Sequence, residues 1–254
     1  ADPNYLRYIA RMLKSGVMIE GKYEDTSVGT PQGGLTSPIL ANVYLHYVLD
    51  LWFEKCIKKQ LYGKAYLIRF ADDFLIMFQY ERDAQRVYEA VIKRMELFGL
   101  ELSKEKTRIL PFGRNSVSRE TFDFLGFTHF NSKTRKGYYS VGHKISRKKK
   151  KQFKSNLKKW VKENRNTQFD EFMKALNKKL TGSFNYYSLS GMIREIKCLW
   201  YHSLFVTFKW LNRRSQRRSF KMERFCEIWN ARIIRPYIHV DIWSGDKVIY
   251  NKNV

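Results

Sequence analysis

With 254 residues and 44% apolar side chains, the chain has enough material for one or two packed domains, which excludes a peptide or an extended polar chain. Its 48 Lys and Arg against 24 Asp and Glu leave a formal charge of +24. That excess goes beyond what solubility requires and points to a polyanionic partner, nucleic acid or an anionic membrane surface. No apolar run approaches a membrane span and no secretory signal is visible at the N-terminus, so insertion in a membrane is not expected. Cys56, Cys198 and Cys226 are too far apart for a metal knuckle or a disulfide framework, and are read as buried thiols in a reducing cytosol. The histidines lack zinc-site spacing.

Residues 4–15 carry helical periodicity and run into a turn at Gly16. The loop Gly29-Thr30-Pro31-Gln32-Gly33-Gly34 follows, its glycines leaving room for a ligand against the backbone beside Gln32. Ser37-Pro38 then opens a long helix, Ser as N-cap and Pro at the first helical position. Its apolar residues at 40, 43, 44, 47, 48, 51 and 52 are expected to form one buried face. The stretch LIRFADDFLIMF at 67–78 reads as two buried strands joined by Ala71-Asp72-Asp73. Two adjacent carboxylates in an apolar run are costly unless they sit in a surface turn, are paired, or bind metal. A helix over 82–98 comes next, with Glu81 and Asp83 at its positive end, Gly99 as its stop, and a stripe of Ala84, Val87, Tyr88, Val91, Ile92 and Met95. Short strands are expected at 106–111, 122–130 and 137–142.

From residue 144 to 180 Lys and Arg face only Glu163, Asp170 and Glu171. Helical periodicity takes over here, with Trp160, Phe169, Phe172, Leu176, Leu180, Trp200, Phe205, Phe208 and Trp210 as candidate core. The expected organisation is an α+β domain with an antiparallel sheet over 1–143, a basic helical domain over 144–240 and a tail over 241–254. Lys148, Lys149, Lys150 and Lys151 are candidates for contacts to an RNA backbone. Arg213, Arg214, Arg217 and Arg218 form a similar strip, with 213/217 and 214/218 expected to share helix faces. Phe184, Tyr186 and Tyr187 are candidates either for the core or for stacking on bases.

GTPQGGLTSPILANVYLH, FADD, GLELSKEKTRI and FDFLGF occur in that order, followed by LTGSFNYYSLSG at 180–191 and WLNRRSQRRSF at 210–220. Together they resemble a group II intron reverse transcriptase/maturase over about Tyr5 to His239. The resemblance implies a right-hand polymerase palm followed by a helical basic thumb, or maturase domain X. It implies RNA-directed DNA synthesis by two Mg²⁺ ions, which demand hard oxygen ligands. Asp72 and Asp73 then match the catalytic, metal-holding aspartates, with Phe70 in place of the tyrosine of the usual YADD. Pro31, Gln32 and Gly33, with Phe70, match the nucleotide- and template-binding positions. Lys106 matches a lysine that neutralises or protonates the leaving pyrophosphate. Leu125, Gly126 and Phe127 match a turn that supports the primer end.

The implied partners are intron RNA, an RNA template with its DNA primer, dNTP, and an N-terminal fingers–palm portion, in a prokaryotic cytoplasmic ribonucleoprotein. The family's third palm carboxylate and its fingers lie upstream of PQG, and Asp2 and Asp25 lack its strand context, so polymerisation by these residues alone is not expected. An RNA-binding maturase without polymerase activity, and a defence or repair reverse transcriptase, are the alternatives. RNA binding alone needs neither Asp72 nor Asp73, and a palm-like cyclase would carry a GG(D/E) turn in place of FADD.

Overall fold

The structure, a computed structural model, describes residues 2–14, 17–19, 22–24, 37–103, 105–116, 118–217 and 219–240. The PQG loop, Asp25, Arg218 and the tail beyond 240 lie outside them. The chain forms two compact units, Ala1–Pro111 and Phe112–Val254. The division falls earlier than the change in periodicity near 143. Phe127 and Ile145, on strands that precede that change, share one buried core with Leu157, Leu176 and Trp229 of the helices.

The first unit opens with α1 (Pro3–Leu13), capped by the Asp2 carboxylate, which accepts from the Asn4 amide at 2.9 Å. Strands β1 (Val17–Ile19) and β2 (Lys22–Glu24) pair antiparallel. Helix α2 (Ser37–Leu45) starts at the Ser-Pro signal, but after it the chain winds through π-helical turns at His46–Asp50 and Phe53–Ile57 and a 3₁₀ turn at Lys58–Gln60. Each π-turn inserts a residue relative to α-helical spacing. Val48, Leu49 and Phe53 are buried, whereas Val43, Tyr44 and Tyr47, expected inside, are exposed.

Strands β3 (Ala65–Phe70) and β4 (Asp73–Phe78) form an antiparallel hairpin closed by the pair Phe70↔Asp73, so the turn is Ala71-Asp72 and Asp73 already belongs to β4. The expectation of two buried strands holds for one face only. Ala65 is buried, and Leu67, Phe74, Ile76 and Phe78 pack on the core of Val48, Leu49, Phe53, Val87, Val91 and Met95. The opposite face exposes Tyr66, Ile68, Phe70 and Met77. Helix α3 (Glu81–Leu97) carries the expected stripe and stops at Gly99, whose φ of 66° suits a residue without Cβ. Its Asp83 is buried and accepts from the amides of Tyr62 and Gly63 at 3.3 and 3.0 Å, tying the entry of β3 to the helix start. Arg94 of α3 donates to the Val48 carbonyl at 3.1 Å and lies over the rings of Trp52 and Phe98, bracing the π-helical turns. The strand expected at 106–111 is absent; those residues are turn and irregular chain.

In the second unit β5 (Thr121–Phe124), β6 (Phe127–Lys133) and β7 (Tyr139–Ile145) form an antiparallel sheet in chain order. Helices α4 (Arg147–Asn164), α5 (Phe169–Tyr186), α6 (Ile193–Leu211) and α7 (Met222–Arg232) follow, their inner faces forming the larger core. Phe172, Leu176, Leu180 and Trp200 are buried as expected, but Phe205 is exposed because it lies on the outer face of α6 with Tyr201. The cysteines differ from expectation as well: Cys56 and Cys198 are exposed and Cys226 is half-buried. No helix among the described residues is long and apolar enough to cross a membrane.

Phe53 is fully buried where the π-turns meet the hairpin. Phe53→Ala is therefore expected to destabilise the first unit by about 3–5 kcal/mol, measured by denaturant unfolding, through lost burial and the cavity left behind.

Candidate functional site

Asp72 occupies the tip of the β3–β4 hairpin and Asp73 the first position of β4; both are exposed. Directly paired residues share a face of a ladder, so Phe70 and Asp73 lie together on the open side. Hard carboxylate oxygens at the edge of a rigid hairpin suit Mg²⁺. Among the described residues no group of three His, Cys, Asp or Glu side chains assembles around them.

Behind the tip stands Arg69, a residue the sequence reading passed over. It belongs to the packed face of β3, and its side chain is only 12% exposed. Its Nε and Nη2 donate to the two carboxylate oxygens of Asp50 at 2.8 and 2.7 Å. Nη1 donates to the Asn42 side-chain oxygen at 2.8 Å and to the Ala71 carbonyl at 2.9 Å. Nη2 also approaches the Asn42 carbonyl at 3.5 Å. His46 stands against the other side of the cluster, Nδ1 lying 3.3 Å from Asp50 Oδ2. The hydrogen bonds from Arg69 lower the Asp50 carboxyl below its ordinary range, against the opposing effect of burial, and the same bonds raise the guanidinium further. An Arg within an apolar strand, with Asp nineteen positions earlier, was the available signal.

Lys106 is exposed in a turn, not on a strand; its amide donates to the Ser103 carbonyl at 3.1 Å. Pro31, Gln32 and Gly33 lie outside the described residues.

In the second unit Leu125-Gly126 forms the tight turn between β5 and β6, closed by Phe124↔Phe127, with φ of 50° and 83° at its two residues. Positive φ at both positions is the hairpin turn that matches strand twist. Tyr186 donates to the Leu125 carbonyl at 2.7 Å, and the Ser146 amide donates to the Gly126 carbonyl at 2.9 Å. Phe127 stacks on Tyr186 and meets Tyr187 edge-on. A Cβ built on Gly126 would meet Lys149 Cγ at 3.5 Å and the Tyr187 hydroxyl at 3.6 Å, ordinary contact distances, so it is the φ of 83° that favours glycine here. Burial, and then the neighbouring Tyr186, pushes the Tyr187 hydroxyl up. The tyrosine pair thus supports the turn, with Tyr186 still largely exposed, while Phe184 is buried in the core.

The start of α4 brings the lysine cluster beside this turn, capped by Ser146, whose hydroxyl accepts from the Lys149 amide. Lys148, Lys149 and Lys151 are exposed, but Lys150 is half-buried and paired with Glu195 of α6, so it is not a free cation. The arginine strip is not helical: α6 ends at Leu211, and Arg213, Arg214 and Arg217 follow in turns and bends. Arg213 lies over the Trp210 ring, which Lys162 and Arg165 also approach. Nε and Nη2 of Arg214 are buried without an acceptor among the described residues, and desolvation lowers its guanidinium.

A family model described as reverse transcriptase (RNA-dependent DNA polymerase) matches residues 3–129. The Group II intron-encoded protein LtrA of Lactococcus lactis subsp. cremoris is 47% identical over 54 residues, 20% of this chain and 9% of that protein. The Uncharacterized 91 kDa protein in cob intron of Schizosaccharomyces pombe is 47% identical over 53 residues, 21% of this chain and 6% of that protein. The matched stretch therefore spans less than a tenth of these curated relatives. The motif series at 29–127 and the family model agree on a reverse transcriptase, and the curated relatives with similar stretches are proteins of introns.

The Asp50–Arg69 pair carries a pH dependence. A carboxyl whose folded-state value lies below its ordinary 3.8 contributes stability that is complete above 3.8 and is lost as pH falls through the lower value. Acid unfolding of the first unit, followed by circular dichroism, is expected to steepen in that window. Asp50→Asn is expected to lower stability at neutral pH and to flatten the acid limb.

Proposed function

The chain belongs to the reverse transcriptase family, and on that premise we propose that it is the part of a group II intron-type RNA-directed DNA polymerase that carries the hairpin aspartates and a basic RNA-binding helical unit. The observation that carries this reading is the β3–β4 hairpin, which presents Asp72 and Asp73 at an exposed, braced edge. In the proposed reaction a primer 3′-hydroxyl attacks the α-phosphorus of a dNTP and pyrophosphate leaves. Bound Mg²⁺ supplies activation of the hydroxyl and neutralisation of the triphosphate. Asp72 and Asp73 are the residues of this chain that would hold it, together with ligands beyond the hairpin. Phe70, on the same face as Asp73, borders the nucleotide, with Pro31, Gln32 and Gly33 assigned to the same subsite by their motif. Lys106 is assigned to the leaving pyrophosphate by its motif, and its exposure leaves its ammonium available.

The Leu125-Gly126-Phe127 turn is proposed to support the primer end. Its rigidity, from the bonds of Tyr186 and Ser146, favours that role. Lys148, Lys149 and Lys151 flank it and would follow a phosphate backbone, joined by Arg213, Arg217 and Arg218. Binding of intron RNA through this unit, in aid of splicing and mobility, is part of the proposal, as similarity to an intron-encoded protein favours.

Two measurements test the reading. In a protein that includes a fingers–palm segment, Asp72→Ala is expected to abolish primer extension while RNA affinity and folding persist. Normal extension by that variant would overturn the assignment of the hairpin. For RNA binding, replacing Lys148, Lys149 and Lys151 with Ala is expected to flatten the slope of log affinity against log salt by up to about 0.9 per lost duplex phosphate contact. An unchanged slope would reduce these lysines to a solvated face.

A further inference from the structure

We propose that Arg69 is a positioning residue for the aspartate hairpin: its guanidinium fixes the peptide that carries Asp72, and Asp50 keeps that guanidinium from competing for the carboxylates. The inference rests on the reading of Asp72 and Asp73 given above.

The geometry begins with the backbone. Ala71 has φ of 53°, in the left-handed region that residues with a Cβ seldom adopt. Nothing in an alanine side chain holds this conformation, so the surroundings must. The Arg69 Nη1 bond to the Ala71 carbonyl at 2.9 Å is the restraint. The Ala71 carbonyl and the Asp72 amide belong to one planar peptide unit, so orienting that carbonyl orients the Asp72 nitrogen and Cα. The tip is thereby set from behind, from the packed face, leaving the open face of Phe70 and Asp73 clear.

The donor inventory shows how completely the arginine is committed. A guanidinium carries five N–H groups. Nε serves Asp50, Nη2 serves Asp50 and approaches the Asn42 carbonyl, and Nη1 serves the Asn42 side chain and Ala71. No donor is left to reach Asp72 or Asp73. This matters because an unengaged cation three or four residues from metal-binding carboxylates would pair with them and displace the metal. Asp50 neutralises the charge through a two-point fork, and Asn42 of α2 fixes the plane of the fork. The arrangement needs a planar fork: Lys carries a point charge that satisfies Asp50 but cannot hold Asn42 and the Ala71 carbonyl in the same plane.

The test compares Arg69→Lys with the parent and with Asp72→Ala. In the metal-free chain, amide hydrogen exchange at Phe70, Asp72 and Asp73 is expected to accelerate in Arg69→Lys, with exchange in α3 and in the second unit unchanged. In the polymerase-competent full protein, the single-turnover rate of primer extension is expected to fall by about 10- to 100-fold, the scale of a small misplacement of catalytic groups. Primer–template affinity and melting temperature should stay at parental values. Unchanged tip exchange, an unchanged rate, or a rate loss that only follows the unfolded fraction would each overturn the proposal. If Arg69→Lys melts early, Asn42→Ala, which leaves the Arg69–Asp50 ion pair intact, carries the same test with a smaller expected loss. Normal extension by Asp72→Ala would sink the polymerase reading of the hairpin, whereas the exchange measurement judges the role of Arg69 on its own.

Discussion

The fork between Arg69 and Asp50 is the constraint on which the first unit's chemistry depends. A two-residue turn of Ala71 and Asp72 has little reason to hold one shape, since its side chains face water and its Ala71 backbone sits in a disfavoured region. What makes it a defined object is a cation held in place by two-point contact with a carboxylate and aimed at the turn's own carbonyl. Fork contacts of this kind gain geometric specificity along with energy. The partial burial of the pair raises the cost of leaving either partner alone, so the two residues are meaningful only together.

The same region explains the π-helical turns that follow α2. Asp50 ends the first of them, with His46 four residues earlier on the same carboxylate. Val48, Leu49 and Phe53 of this segment face the core while Asn42 and Asp50 meet Arg69. Arg94, stacked over Trp52 and Phe98 and bonded to the Val48 carbonyl, braces the irregular winding from the α3 side. Single π-turns concentrate at functional positions, and here one of them delivers the acid that anchors the hairpin.

Much of this was legible in the sequence, and the omissions have physical causes. The hairpin and α3 were readable because short, nearly continuous apolar runs bracket a turn, and a helical stripe ends at a glycine. The sharing of burial between the hairpin's faces was not readable, because both faces are apolar and only packing distinguishes Leu67 from Ile68. Arg69 was invisible because a charge inside an apolar strand looks like a flank, and its partner Asp50 is distant in sequence. The π-helical winding of the 46–57 segment was missed since no residue pattern marks a π-turn. The run of lysines at 148–151 reads as uniform, yet helical geometry turns Lys150 toward Glu195 and leaves its neighbours to solvent. The arginine series was read as helix because its spacing is helical, while α6 had already ended at Leu211.

Charge and chemistry are distributed between the units by different physical demands. Binding a polyanion needs many exposed cations, each contributing modestly and each sensitive to salt, and α4 with its neighbours supplies them. Holding a metal needs few ligands in fixed positions, and the two carboxylates proposed for that role sit on a hairpin whose own Arg69 is already paired with Asp50. The Leu125-Gly126 turn shows the second unit applying the same principle of support from behind. Tyr186 and the Ser146 amide hold its two carbonyls, and the positive φ at Gly126 suits a residue without Cβ. Because Ser146 also caps α4, one residue anchors both the turn and the first turn of the lysine-rich helix. A displacement of the turn would therefore move the start of the cationic strip with it, so the surface proposed for the primer end and that proposed for the RNA backbone form one mechanical piece.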